Sequence, residues 1–297
     1  MLRLALIFLA LCLLALKSWA GEIALILADD SPPYREFASS LQKNLKAGWR
    51  INYTDNDLRP LDRFPVDLVI TAGTEALRKT LGKAQKTPVL ATLLPENAYQ
   101  GIILDARSPP PVSAIYLDQP ARRQARLLRL LFPDSQRIGM LVSEQSRAQA
   151  NAFRQPLTSQ RLQLITETVN DEAHILPALE TLLPRTDALL ALPDPLIYSR
   201  NTIKPLLITA YRFRRPVVAF SAALVKAGAL AGLYSTPAQI GRQAGEQVST
   251  HGNRLPPPGG PVEFSLSINQ SVADAFGLRL PEEADLFQKL LSGGTEQ

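Results

Sequence analysis

The chain has 297 residues, 32 Lys and Arg against 27 Asp and Glu, two histidines and one cysteine. That length allows one large domain or two of ordinary size. The basic residues are spread along helical faces rather than gathered into a block with aromatics between them, so the positive balance describes solvated helix surface and no nucleic-acid partner is expected.

The N-terminus carries the sharpest signal. Arg3 precedes an apolar run over 4–16, followed by Lys17-Ser18-Trp19-Ala20. A charged start, a short apolar stretch and small residues at the two positions before Gly21 are the pattern of a cleavable signal peptide over 1–20. The run is too short to span a bilayer, which needs about 20 apolar residues. Cys12 lies in the middle of it behind the bulky Leu11, a poor lipid-attachment context. Cleavage after Ala20 removes the only cysteine and two cations, leaving a net charge of +3 and no thiol chemistry.

From residue 22 onward short apolar runs alternate with helical stretches, which predicts an α/β fold with parallel sheets covered by helices. A strand over 23–28 ends at Asp29-Asp30-Ser31-Pro32-Pro33. A helix over 34–47 follows, with Phe37, Leu41 and Leu45 on one face. Strands are expected over 49–53, 67–71 and 88–94, with a helix over 76–81. Residues 105–113 hold Pro109-Pro110-Pro111 and read as a stiff crossing segment. The alternation then restarts with strands over 114–117, 137–142, 162–169, 188–192 and 216–220. Helices are expected over 121–132, 145–153, 173–183 and 200–212. A strand over 229–234, a helix over 239–251, a proline-rich loop, a strand over 262–268 and a short tail helix complete the chain.

No pattern supports catalysis. His174 and His251 sit on separate helical stretches with no further ligand at metal spacing, and no G-x-S-x-G, P-loop, G-x-G-x-x-G or H-E-x-x-H motif occurs. The expectation is a binding protein with no enzymatic activity, no cofactor and no metal. In open parallel sheets, ligands sit beyond the carboxyl ends of the strands, where helix N-termini direct free N–H groups outward. Polar residues collect at those ends: Asp30 and Ser31 after the first strand, Gly73 and Thr74 after the third, Asp118 and Gln119 at 118–119, then Ser143, Asp194, Ser221 and Tyr234. Each Ser, Thr or Asp also suits a helix N-cap. It is their joint placement at one edge of two lobes that predicts a cleft. Pro193 and Pro195 flank Asp194 and predict a stiff turn that presents its carboxylate.

The stretch Ala188-Leu-Leu-Ala-Leu-Pro-Asp-Pro195, the later Val225-Lys-Ala-Gly-Ala-Leu230 with Tyr234, and the closing Phe264-Ser-Leu-Ser-Ile-Asn269 with Ala273, Gly277-Leu278 and Leu280-Pro281 resemble the ABC transporter substrate-binding protein family. The likeness covers about 110–285 and extends more loosely to the first lobe. It implies a type I periplasmic binding protein: two Rossmann-like lobes joined by three crossing strands, some members being tied to tryptophan and other aromatic amino acids. On that pattern lobe one spans 21–112 and 237–261, lobe two 113–236 and 262–281, and 282–297 forms a tail helix. The crossings are expected near 111–114, 235–238 and 260–263. The implied role is capture of a small molecule, an amino acid or related compound, by a periplasmic monomer. The captured molecule passes to an ABC permease in the inner membrane. A periplasmic sensor presenting its closed form to a membrane signalling protein is the alternative.

Overall fold

The computed structural model describes residues 21–46, 48–55, 65–83 and 86–292. The predicted signal peptide and Cys12 lie outside the described residues. Two mostly parallel sheets form, each covered by helices on both faces.

The first sheet begins with β1 (Gly21–Leu27), whose unbroken apolar run is buried. This is what a strand covered on both faces requires. α1 (Pro32–Asn44) leads to β2 (Trp49–Asp55), and β3 (Leu68–Ala72) is followed by α2 (Thr74–Gly82). β4 (Val89–Leu94) runs into α3 (Glu96–Asp105), which returns the chain to β5 (Val112–Tyr116). The sheet order is β2-β1-β3-β4-β5, all parallel. The strand expected to open the second lobe is therefore the outer strand of the first. Its register aligns Val89 with Val112 and Ala91 with Ala114. The three prolines before it lead into this strand and make no crossing. The sequence reading also lacked α3, the connection that makes a parallel β4–β5 pair feasible.

The second lobe holds α4 (Ala121–Leu131), β6 (Arg137–Val142), α5 (Arg147–Ala152), α6 (Arg154–Ser159), β7 (Gln163–Thr168), α7 (Ile175–Leu182) and β8 (Ala188–Leu190). It continues through α8 (Ile203–Arg212), β9 (Val217–Ala219), α9 (Ala222–Ala227) and β10 (Ala231–Tyr234). Its sheet order is β11-β10-β9-β8-β6-β7, where β11 (Ser265–Ile268) runs antiparallel to β10. Between those two strands α10 (Pro237–His251) leaves for the first lobe. Its Ile240, Ala244 and Val248 join Ile23, Leu25, Phe37 and Leu41 in one buried cluster. The helix thus packs where the topological reading put it. α11 (Gln270–Phe276) and α12 (Glu283–Ser292) close the chain over the second lobe, where Phe287 meets Phe264 at a centroid distance of 4.8 Å.

The chain passes between the lobes at 117–120, 235–236 and 260–264, and side chains tie the passages together. Gln119 donates to Ser235 Oγ at 2.8 Å, and Ser235 Oγ donates to the Glu263 carbonyl at 2.5 Å. Arg123 reaches Gln119 Oε1 at 2.8 Å and the carbonyls of Pro261 and Val262 at 3.1 Å each, with its guanidinium 4.5 Å from the Phe264 ring centre. Gln243 accepts the Val262 amide at 2.8 Å. The second passage follows β10 and the third precedes β11. The first lies a strand later than expected, because β5 stays in lobe one.

Candidate functional site

The carboxyl ends of the two parallel sheets face each other, and two hydrogen bonds span the gap. Asn97 Nδ2 in lobe one donates to the Pro193 carbonyl in lobe two at 3.3 Å, and Gln149 Nε2 in lobe two donates to Asp118 Oδ1. The cleft floor is therefore built from the start of α3, the end of β5, α5 and the turn after β8.

On the lobe-one rim, Asp30 pairs with Arg35 at 3.2 Å and is exposed, while the Ser31 amide is held by Asp29 Oδ1 at 2.7 Å. Gly73 has φ +99°, a conformation that favours glycine. A Cβ there would come within 2.7 Å of the Tyr34 hydroxyl and 2.8 Å of Ala28 Cβ, so backbone and ring are closely apposed. Thr74, half-buried, opens α2. Burial, and then the charge of Asp29, push the Tyr34 hydroxyl above its ordinary range, so it remains a protonated donor.

Asp118 sits at the centre. α3 has Pro95 at its N-cap and no side-chain cap of its own. Asp118 Oδ2 takes the first free amide, that of Glu96, at 2.6 Å. A carboxylate at a helix N-terminus is favoured by the dipole. Even so, burial raises the Asp118 carboxyl above the usual carboxylate range, against the lowering effect of those hydrogen bonds. Glu96, half-buried, is raised first by burial and then by the charge of Asp118. The Tyr116 hydroxyl is raised by burial and then by the charges of Glu96, Tyr99 and Asp118, and its ring lies 5.4 Å from that of Tyr99. Glu96, Asn97 and Gln149 were missed in the sequence. The signal was present for the first two, since Pro95-Glu96-Asn97 follow an apolar strand run just as the other singled-out residues do.

The remaining residues take structural positions. Gln119 belongs to the bonds between the lobes and is buried. Asp194 is 2% exposed. Its Oδ2 accepts from Ser143 Oγ at 2.7 Å, Ser146 Oγ at 2.6 Å and the Ser143 amide at 3.3 Å, while Oδ1 accepts the Leu196 amide at 3.1 Å. The prolines do make the turn. It aims the carboxylate into the lobe rather than the cleft, because Ser143 and Ser146 at the end of β6 supply closer donors. Ser221 caps α9 through the Leu224 amide at 3.3 Å, and the Tyr234 hydroxyl meets Ser267 Oγ at 2.8 Å. No group of three or more metal-ligating side chains occurs among the described residues, and His174 is exposed against Asp171 at 2.7 Å.

Residues 58–283 match the family model of the ABC transporter substrate binding protein. The chain belongs to that family. No curated protein matches it. Among solved structures, a ligand-free, open substrate-binding protein with adhesive properties from Clostridium difficile is similar with TM-score 0.68 and 17% identity, over 88% of this chain and 96% of that one. The ABC domain of Streptococcus pneumonia in complex with L-Trp aligns with TM-score 0.62 and 19% identity, over 90% and 97%. A conserved domain protein of Vibrio cholerae aligns with TM-score 0.62 and 16% identity, over 91% and 98%. The fold of this substrate-binding protein is that of the type I periplasmic binding proteins, and a small-molecule ligand and an ABC permease are what the family implies.

Proposed function

We propose that the chain is an exported, non-catalytic solute-binding protein that captures a small molecule between its lobes and delivers it to an ABC importer. The observation that carries this reading is the pair of strand-end edges brought face to face across a short hydrogen-bonded floor. Polar groups from both lobes converge there, and the strand ends are where open parallel sheets bind ligands. The lobes would close on the ligand by rotation about the three passages. The signal-peptide pattern over 1–20 supports release into the periplasm, with Gly21 as the mature N-terminus.

Amino acids, peptides, nucleosides and sugars should be screened by thermal shift against the purified chain. Hits should then be followed by small-angle scattering. At least one compound class is expected to raise the melting temperature and reduce the radius of gyration. A screen with no stabilising compound, or stabilisation without compaction, would sink the reading.

A further inference from the structure

Seven large apolar side chains lie exposed among the described residues. Three of them, Ile208, Tyr211 and Phe213, fall within one short stretch of chain at 51%, 53% and 37% exposure. Single exposed apolar residues are ordinary on a protein surface, whereas a cluster with a charged rim marks a contact surface. Ile208 and Tyr211 stand one turn apart on α8, whose Leu206, Leu207 and Ala210 are buried in lobe two. Phe276, at the end of α11, sets its ring edge-on to Tyr211 at a centroid distance of 5.4 Å and carries the apolar strip onto a second helix.

Cations frame the strip. Lys204 precedes Ile208 by one turn on the same face, and Arg212 and Arg214 follow Tyr211. All three are exposed, and no described group forms an ion pair or side-chain hydrogen bond with them. The neighbouring helices α7 and α11 offer one exposed acid each, Glu180 and Asp274, and Asp274 already accepts Gln270 Nε2 at 2.9 Å. Arg214 is also held in an unfavourable backbone conformation. Its φ is +54°, and its amide and that of Arg215 donate to the Tyr211 and Ala210 carbonyls at 2.9 Å each. In such a helix-closing turn glycine ordinarily takes the left-handed position. Arginine there carries a conformational cost and in return holds a cation beside the aromatic strip.

α8 runs from the carboxyl side of β8 to the start of β9, so its last turn lies at the edge of the lobe-two sheet opposite the cleft. Contact there leaves the cleft open. We propose that this strip docks lobe two reversibly on an anionic phospholipid bilayer. Aromatic and isoleucine side chains suit the boundary between headgroups and acyl chains, while lysine and arginine meet the phosphates. The lipid supplies the negative charge that no described carboxylate provides. Docking of this kind is independent of the solute in the cleft and requires only that the chain meet a membrane, as its export would ensure.

The test is sedimentation with phosphatidylcholine vesicles, with and without phosphatidylglycerol. The protein should be purified after export, with intact mass showing that 1–20 is gone, so that the apolar run over 4–16 does not itself enter the vesicles. Binding is expected only with phosphatidylglycerol present, and it should weaken as salt is raised, since exposed charges are screened. A cation beside an anionic surface contributes about 1 kcal/mol, so Arg214→Gly should lower the partition coefficient about fivefold. Its melting temperature should stay unchanged or rise, because glycine relieves the backbone. Tyr211→Ser should weaken binding by a factor of about five or more through lost apolar contact. Arg161→Gly is the control: Arg161 has φ +57° at the end of α6, which packs on the other face of the lobe-two sheet. It removes the same charge from another place, and binding should hold within about twofold. Equal binding to both vesicle types, no binding to either, or equal losses in Arg214→Gly and Arg161→Gly would overturn the assignment. So would sedimentation velocity showing a dimer that Tyr211→Ser dissolves, since a second copy would then cover the strip.

Discussion

Asp194 is anchored by four hydrogen bonds from its own lobe, two from hydroxyls and two from backbone amides. They join the turn after β8 to the start of the segment after β6, so this carboxylate fixes the two loops that bound the lobe-two side of the cleft. Replacing it with asparagine puts an N–H group where an acceptor is needed, and the serine hydroxyls and amides lose partners while buried. Hydrogen bonds to a charged group contribute about 1.5–3 kcal/mol each, and leaving a buried donor unmet costs a comparable amount. Asp194→Asn is therefore expected to cost about 3 kcal/mol, a fall of roughly 6–12 °C in melting temperature for a protein this size. Calorimetry of the variant checks it. A shift below a degree or two would mean the carboxylate is not structural.

At the scale of elements, the contact between α1 and α10 shows how sequence-distant helices fix the architecture. Gly241 and Gly245 of α10 lie against the backbone of α1. A Cβ at Gly241 would fall 2.6 Å from the Phe37 carbonyl oxygen, and one at Gly245 would fall 2.9 Å from the carbonyl carbon of Asn44. Glycine in a helix interior ordinarily costs about 1 kcal/mol relative to alanine. Here the close approach reverses that preference. Gly241→Ala should destabilise by about 1–3 kcal/mol, the cost of overpacking against backbone that has no flexible end to move aside. A chemical-denaturation midpoint checks it, and a higher midpoint in the variant would show that the helices can separate at little cost. The Ile240, Ala244 and Val248 stripe was legible in the sequence because it repeats every four residues. α3 was not legible. Its apolar residues Tyr99, Ile102, Ile103 and Leu104 make no clean stripe, Gly101 interrupts them, and Leu104 is 85% exposed. Missing that helix left Pro109-Pro110-Pro111 looking like a passage between lobes, and β5 was assigned to the wrong sheet. Asp194 was misread for a related reason. Flanking prolines predict a stiff turn, but only the tertiary positions of Ser143 and Ser146 decide which way its carboxylate points.

At the scale of the whole molecule, Gln119, Ser235 and Glu263 link the three passages, and Arg123 braces them. The Arg123 guanidinium bonds Gln119 and two carbonyls of the third passage while lying over Phe264, and it is half-buried. Its loss removes packing as well as charge, since the aliphatic stem and the ring contact go with it. The carbonyls of Pro261 and Val262 would be left without their donor, and Gln119 Oε1 with them. Arg123→Ala is expected to lower stability by about 2–4 kcal/mol through these unmet acceptors. It should also broaden the distribution of lobe orientations, because the third passage would no longer be tied to the first. Spin labels on cysteines at the exposed positions Glu75 in lobe one and Arg200 in lobe two would report this. Only Cys12, within the predicted signal peptide, competes for the label. The interlobe distance distribution of Arg123→Ala without ligand should be wider than that of the parent, and a saturating ligand should narrow both. An unchanged width in Arg123→Ala would mean that Gln119, Ser235 and the Glu263 carbonyl hold the lobes without it. Glu263 takes part through its backbone, so the remaining side-chain tie could then be removed only by Gln119→Ala or Ser235→Ala.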